Sequence, residues 1–239
     1  MKLTDFKVLT FDVVGTLIDF EQGILDYMRP IVERSALQLG DEHILGAYGR
    51  GEVVAQGEHP DSPFPPLMDR IYRVAANALG MPADDGEAAG FKESIPRWPA
   101  FPDSVEALRR LRQRYRLVAV TNSDNWALAQ FSKTLGEPFD DLVTAEMAGA
   151  SKPDPRVFHF CLERQKAAGF AQSDILHVAQ SQYHDIGVAH LLGYATCWIE
   201  RRMHQDGSGG TPAVDKRAEP DWHFATLAEL ADAVDKEAG

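Results

Sequence analysis

Four short stretches place reactive side chains directly after apolar runs. LTFDVVGTLID (9–19) ends such a run on Asp12 and follows it with Gly15 and Thr16. RLVAVTN (116–122) leads into Thr121, Asn122 and Ser123. DLVTAEM (141–147) is followed by Ser151, Lys152, Pro153 and Asp154. ILHVAQS (175–181) leads into Gln180, Ser181, Gln182, His184 and Asp185. A carboxylate, hydroxyl and amide donors, an ammonium and a second carboxylate are the groups that polar chemistry on a small molecule uses. Any one alone reads as a cap or turn residue. Together at four strand ends they read as a site, because ligands of open α/β sheets collect beyond the carboxyl ends of the strands.

The elements that must carry these groups are legible as patterns. Five segments read as buried strands: 7–14, 116–122, 141–147, 175–181 and 194–200. Most are nearly continuous in Val, Ile, Leu and Thr, as parallel strands covered on both faces are. Helical patterns separate the later ones. In DSVEALRRLRQRYR, Asp103 or Ser104 can cap, and Val105, Leu108 and Leu111 form a stripe. Residues 155–168 form a second helix closed by Gly169, and 184–192 a third ended by Gly193. This alternation predicts a doubly wound, mostly parallel, Rossmann-like α/β sheet of five or more strands. Residues 20 to 97 break it, with three helical patterns and no strand. They read as a helical cap domain inserted after the first strand, the core domain being 1–19 and 98–239. Pro96, Pro99 and Pro102 mark the hinge back into the core. DGSGGTPAVDKRAEP (206–220) reads as a surface loop; its GSGG lacks the strand–loop–helix context of a phosphate loop.

Composition narrows the function classes. A chain of 239 residues with 44% apolar and 25% charged residues fits a soluble globular protein of one large domain or one domain with an insert. A net charge of −12 argues against a non-specific grip on nucleic acid or on an anionic membrane. Cys161 and Cys197 have neither metal spacing nor a disulfide framework and read as buried thiols. The opening MKLTDFK has no apolar signal core, and no run is long enough to span a membrane, so a cytoplasmic location is expected.

As a set, FDVVGTL, VTNS, SKPDPRVF and HVAQSQYHDIGVAHLLG resemble the haloacid dehalogenase superfamily of hydrolases. They span residue 7 to about 200 in family order. SKPDPRVF and YATCWIERR look most like the L-2-haloacid dehalogenase branch. The resemblance implies that Asp12 is a covalent nucleophile and that Lys152 supplies the cation keeping it ionised. It implies that Thr121 and Asn122 hold the substrate's anionic group, and that Thr16, with Gly15, sets the turn and donates to Asp12. Asp185 would hold Lys152 or position the water that hydrolyses the ester intermediate.

Position 14 discriminates between reactions. Phosphatases of this superfamily usually carry a second aspartate there, which protonates the leaving oxygen; this chain has Val14. They also usually carry an acidic residue where this chain has Gln180. Both differences remove acid or metal-binding capacity, so no cofactor is expected; Mg²⁺ bound through Asp12, the Val14 carbonyl and Asp185 is the alternative. Halide needs no proton to leave, so metal-free hydrolysis of small 2-haloacids is the reading. Such an enzyme uses a cap arginine for the halide; Arg50 in AYGRGEV is the best-placed match, a solvated surface arginine being the other reading. The branch also departs here: it has tyrosine at position 14, and serine, asparagine and an aromatic where Gln180, Gln182 and His184 stand. Val14, Gln182 and His184 are therefore expected at the substrate pocket, with His184 either a proton acceptor or a polar wall. Trp126 and Phe131 read as packing. A Mg²⁺-dependent phosphatase or phosphonate hydrolase, or a non-catalytic family member, are the competing readings. The Schiff-base variety of phosphonate hydrolase is disfavoured, since residues 20–90 contain no lysine. The expected partner is a small anionic substrate. A homodimer through the apolar stretches of the insert is a further expectation.

Overall fold

The computed structural model describes residues 1–205, 207 and 209–239. Six strands form one parallel sheet: β1 (Val8–Phe11), β2 (Arg116–Thr121), β3 (Asp141–Thr144), β4 (Ile175–Ala179), β5 (Ala195–Ile199) and β6 (Trp222–Phe224). Their order is β3-β2-β1-β4-β5-β6. The doubly wound α/β reading is therefore correct, and the sheet is one strand wider than the five segments read from sequence. The chain reverses its direction of travel across the sheet between β1 and β4, which opens a crevice at their carboxyl ends. In-register pairs there include Thr10 with His177 and Phe11 with Val178. β1 and β4 are buried throughout, as their apolar runs require.

Among the described residues, ten α-helices surround or follow the strands: α1 (Phe20–Arg34), α2 (Asp41–Glu58), α3 (Phe64–Leu79), α4 (Asp85–Glu93), α5 (Ser104–Leu111), α6 (Asn125–Thr134), α7 (Ala145–Ala148), α8 (Pro155–Ala167), α9 (Gly187–Leu191) and α10 (Leu227–Ala238). The first four follow one another between β1 and β2 with no strand between them. Asp19 caps α1 by accepting the Gln22 N–H at 3.0 Å. Ile24, Met28 and Ile31 then bury one stripe at helical spacing. α2 and α3 cross at Gly51, where a Cβ would lie 2.6 Å from the Ile71 carbonyl oxygen. The two chain passages joining this helical insert to the sheet run side by side. Asp19 donates to the Pro99 carbonyl at 2.8 Å, and Phe101 to that of Leu17 at 3.0 Å. Trp98 stacks between Phe64 of α3 and Phe131 of α6, at 6.0 and 6.1 Å between ring centres.

Several local expectations need correction. DLVTAEM is not one strand: β3 ends at Thr144, whose hydroxyl accepts the Met147 N–H and starts α7. In α5 the buried stripe is Ala107, Leu108 and Leu111, while Val105 is exposed. Phe131 packs inside as expected, but Trp126 is exposed. The segment 184–192 begins as a π-helical turn, Gln182–Ile186, before α9. The 206–220 segment is more than a surface loop. Asp206 and Ser208, and with Ser208 the middle of GSGG, lie outside the described residues. Gly209 and Gly210 are buried, and the Gly210 N–H donates to Glu21 Oε1 at 2.8 Å, which draws this loop onto α1. Cys161 and Cys197 are buried thiols.

Candidate active site

Asp12 is the first residue beyond β1 and continues the sheet, its N–H donating to the Val178 carbonyl at 3.1 Å. Gly15, at φ 93°, turns the chain immediately afterwards, a backbone region that side-chain-bearing residues rarely adopt. That turn returns Thr16 to Asp12, and Thr16 Oγ1 donates to Asp12 Oδ2 at 2.6 Å. Thr16 Oγ1 also accepts the Gln180 N–H at 2.8 Å, tying the β1 turn to the end of β4. Arg201, beyond β5, donates from Nε and Nη2 to the Thr16 carbonyl at 3.0 and 2.9 Å and pairs with Asp103 at 2.8 Å.

Lys152 is buried, and its ammonium has three acceptors. Nζ reaches Asp12 Oδ1 at 2.9 Å, the Val120 carbonyl at 2.8 Å and Asp185 Oδ1 at 2.6 Å. Its backbone is clipped to the end of β2 by Asn122. Asn122 Oδ1 accepts the Lys152 N–H at 2.7 Å, and Nδ2 donates to the Lys152 carbonyl at 2.9 Å. Asp185 Oδ1 also meets His177 Nε2 at 3.0 Å, and His177 Nδ1 meets Thr10 Oγ1 at 2.9 Å. A carboxylate only accepts, so Nε2 carries a proton. Asp185 Oδ2 is buried with no hydrogen-bond partner among the described residues.

The two carboxylates shift in opposite directions. Burial raises the Asp12 carboxyl above its ordinary value; Lys152 and Thr16 oppose this, and the Asp185 charge reinforces it. Burial also acts upward on Asp185, but Lys152 and His177 outweigh it and hold that carboxyl well below the usual range. Lys152 itself is desolvated, yet the two carboxylates keep its value above that of a free lysine. Asp185 is thus the settled partner of the ammonium, and Asp12 the more basic carboxylate. Replacing His177 by leucine should remove a charge-assisted bond from Asp185. The expected loss is about 1.5–3 kcal/mol of stability, with the acid limb of the pH–rate profile moved upward as the Asp185 value rises. Urea midpoints and a pH profile would check both.

Asp12, Lys152 and Asp185 open on a cavity of about 60 Å³, room for about four waters. Its sheet side includes Val14, Thr121, Asn122, Gln180, Ser181 and His184. Its other side is Phe20, Tyr48, Glu52, Gln56 and Phe64 from the helical insert, with Gly210, Thr211 and Pro212 from the 206–220 loop. Thr121 Oγ1 lies 3.0 Å from Ser123 Oγ. Burial pushes the His184 imidazole down to about 4, so it is neutral at physiological pH.

Of the residues singled out in sequence, Asp12, Thr16, Lys152 and Asp185 meet in one cluster, and Val14, Thr121, Asn122 and His184 line its cavity. Two do not join them. Gln182 turns to the 206–220 loop, accepting the Ala218 N–H at 2.9 Å and donating to its carbonyl at 3.3 Å. Arg50 is exposed on α2 and is not part of the cavity wall. The helix explains why: Tyr48 and Glu52 face the cavity, and a residue two positions from each is turned about 200° away at 100° per residue. His177, Tyr48, Glu52 and Arg201 were missed as site residues. The period-3.6 stripe through Ile44, Tyr48 and Ala55 was the available signal for the α2 pair.

A Mg²⁺ ion held by Asp12, the Val14 carbonyl and Asp185 does not fit this donor set. Both Asp12 oxygens already accept hydrogen bonds, and the Lys152 ammonium bridges the two carboxylates. The Gln180 side-chain oxygen accepts from Thr211 at 3.3 Å. Asp185 Oδ2 and the Val14 carbonyl remain, short of the octahedral oxygen shell Mg²⁺ demands. Among the described residues no group of three His, Cys, Asp or Glu side chains is placed to hold an ion. Nor is any helix among them long and apolar enough to cross a membrane.

The chain is similar in sequence and in fold to known proteins. Haloacetate dehalogenase H-2 of Moraxella sp. (strain B) is 30% identical over 128 residues, covering 52% of this chain and 55% of that enzyme. The matched part thus spans about half the length of that relative. An (S)-2-haloacid dehalogenase of Pseudomonas sp. (strain YL) is 25% identical over 238 residues, 98% of this chain and 96% of that one. The solved L-2-haloacid dehalogenase from Xanthobacter autotrophicus superposes with a TM-score of 0.78, covering 97% of this chain and 99% of that chain, at 17% identity, a likeness of fold. The haloacid dehalogenase-like hydrolase family model matches residues 6–193, most of the sheet and all of the helical insert. The chain belongs to the haloacid dehalogenase-like hydrolases.

Proposed function

We propose that this hydrolase displaces halide from small 2-haloacids without a metal. The Asp12 carboxylate attacks the halogen-bearing carbon. The carbon–halogen bond breaks with its electron pair on the halide, and an ester to Asp12 forms. Water then attacks the ester carbonyl, releasing the 2-hydroxy acid and regenerating Asp12. Lys152 keeps Asp12 ionised before attack, and Thr16 orients it. Thr121 and Asn122, both in the cavity wall, hold the substrate's carboxylate. Asp185 Oδ2, an acceptor with no partner, is suited to hold the hydrolytic water. Residues 20–97 act as a cap over a core of 1–19 and 98–239.

The observation that carries this reading is Val14 beside Asp12 in the cavity wall. An apolar side chain stands where a phosphate ester's leaving oxygen would need a proton donor. It also keeps the nucleophile's surroundings dry, which favours attack by a carboxylate. The size of the cavity suits a substrate of a few heavy atoms. The names of the relatives, acting on haloacetate and (S)-2-haloacids, support the same class.

Purified protein should release halide from 2-chloropropionate at the same rate with EDTA or with added Mg²⁺. Absence of release across a panel of chloro- and bromoacids would sink the reading. Turnover of phosphate esters only when Mg²⁺ is added would replace it.

A further inference from the structure

A backside displacement places nucleophile, carbon and leaving group in line, so the leaving group departs away from Asp12. In this cavity that direction faces the helical insert: Phe20, Tyr48, Glu52, Gln56 and Phe64. No cation stands there, since Arg50 is exposed on the outer side of α2. The Gln56 amide already donates to the carbonyls of Pro60 at 2.8 Å, His59 at 3.3 Å and Ser62 at 3.4 Å. Thr211, beside it, donates to Gln180. Tyr48 and Glu52 remain. They are one helical turn apart on α2, and neither polar end has a hydrogen-bond partner among the described residues.

We propose that Tyr48 and Glu52 form the leaving-group subsite, with neutral Glu52 as the acid that donates to the departing group. This rests on the displacement reading above. An ionised Glu52 would repel a departing halide, whereas the protonated form is a donor in the cavity wall. The charge around the cavity favours the protonated form. Asp12 and Asp185 outnumber Lys152, His184 is neutral, and Tyr48 is an uncharged phenol. A bound substrate carboxylate adds one more negative charge. On the outer side of Glu52, a second groove brings Asp61, Asp154, Arg156 and Tyr183; Arg156 is already paired with both aspartates. Burial pushes the Glu52 carboxyl up to about 7, leaving a substantial protonated fraction near neutrality even in the free enzyme.

The step balances. With a fluoroacid, Asp12 bonds to carbon, and fluoride leaves with the electron pair and takes the Glu52 proton. Water then cleaves the ester and its proton restores Glu52. The net reaction converts haloacid and water to hydroxy acid and hydrogen halide. Chloride and bromide leave well without such help, whereas fluoride is the most basic halide and gains most from a donor. The subsite therefore favours turnover of 2-fluoroacids.

The test is fluoride and bromide release from 2-fluoro- and 2-bromopropionate by the wild type and Glu52→Gln, across pH 5–9. Measuring both substrates on one preparation makes the ratio independent of how much protein is folded. Wild type should release both, with fluoride release falling above about pH 7 as Glu52 ionises. E52Q should lower the fluoride-to-bromide ratio about 100-fold, the usual worth of a positioned acid, and should lose that alkaline limb. Equal losses on both substrates, or a fluoride profile whose alkaline limb survives E52Q, would overturn the proposal while leaving the displacement reading intact. So would a wild type that releases bromide and no fluoride. A wild type that releases neither halide would remove the displacement reading and this inference with it.

Discussion

Asp12→Asn should abolish turnover, by at least about 10⁴-fold, while leaving the fold as stable as before or slightly more so. The two halves of this result have separate causes. An amide is a poor nucleophile, so the ester cannot form. On the stability side, the buried cluster holds two carboxylates against one ammonium, and Asp12 is the one that burial has pushed upward. A raised folded value means that ionised Asp12 costs stability, and the cost grows as pH rises through that value. Asparagine keeps the shape, still accepts from Lys152 and leaves a neutral Lys152–Asp185 pair. Single-turnover reaction in heavy-oxygen water gives a direct check on the covalent step. Wild-type Asp12 should acquire the label, since water attacks the ester at the aspartyl carbonyl and not at the substrate carbon. Label appearing at once in the hydroxy acid, or activity within tenfold in the asparagine variant, would refute the nucleophile assignment.

Asp12, Thr121, Lys152 and Asp185 were legible because each follows an apolar run, and a parallel sheet forces such run-ends onto one rim. Composition and spacing carried that much without any knowledge of contacts. The misses share a different origin: each depends on a direction that spacing alone does not set. His177 sits inside a run that reads as plain buried strand, and only its register opposite Thr10 reveals a polar line beneath Asp185. Arg50 was the match to the family's cap arginine, but helical rotation turns it outward and Tyr48 and Glu52 inward. β6 is three residues long and follows a polar loop, too short for alternation to register. That loop looked like solvent-facing surface by composition. Its approach to the cavity depends on a glycine: a Cβ at Gly210 would lie 2.8 Å from the Phe20 ring.

Lys152→Met should cost about 3–5 kcal/mol at neutral pH and leave no measurable turnover, because it strands two buried carboxylates without their cation. Methionine fills the same volume, so packing is not the variable. The pH dependence separates charge from any residual packing defect. In the wild type, Asp185 lies below its ordinary value, so its contribution to stability is fully present above about pH 4 and fades as pH falls through the folded value. In the variant both carboxylates would be shifted upward, so their ionised forms are a penalty that disappears on acidification. The gap in urea midpoint between the two proteins should therefore narrow steadily from pH 7 toward pH 4. A constant gap would mean that the loss is steric and that the ammonium is not what holds the cluster. Lys152→Arg sharpens the point, since it retains the charge and loses the fit. The ammonium points its three hydrogens at Asp12, the Val120 carbonyl and Asp185, all within 2.9 Å. A planar guanidinium on a longer stem cannot reproduce that tripod in a buried site. Arginine should thus recover part of the stability at neutral pH and little of the activity. A fully active arginine variant would show that Lys152 acts through charge alone, and that the distance from ammonium to Asp12 does not tune the nucleophile.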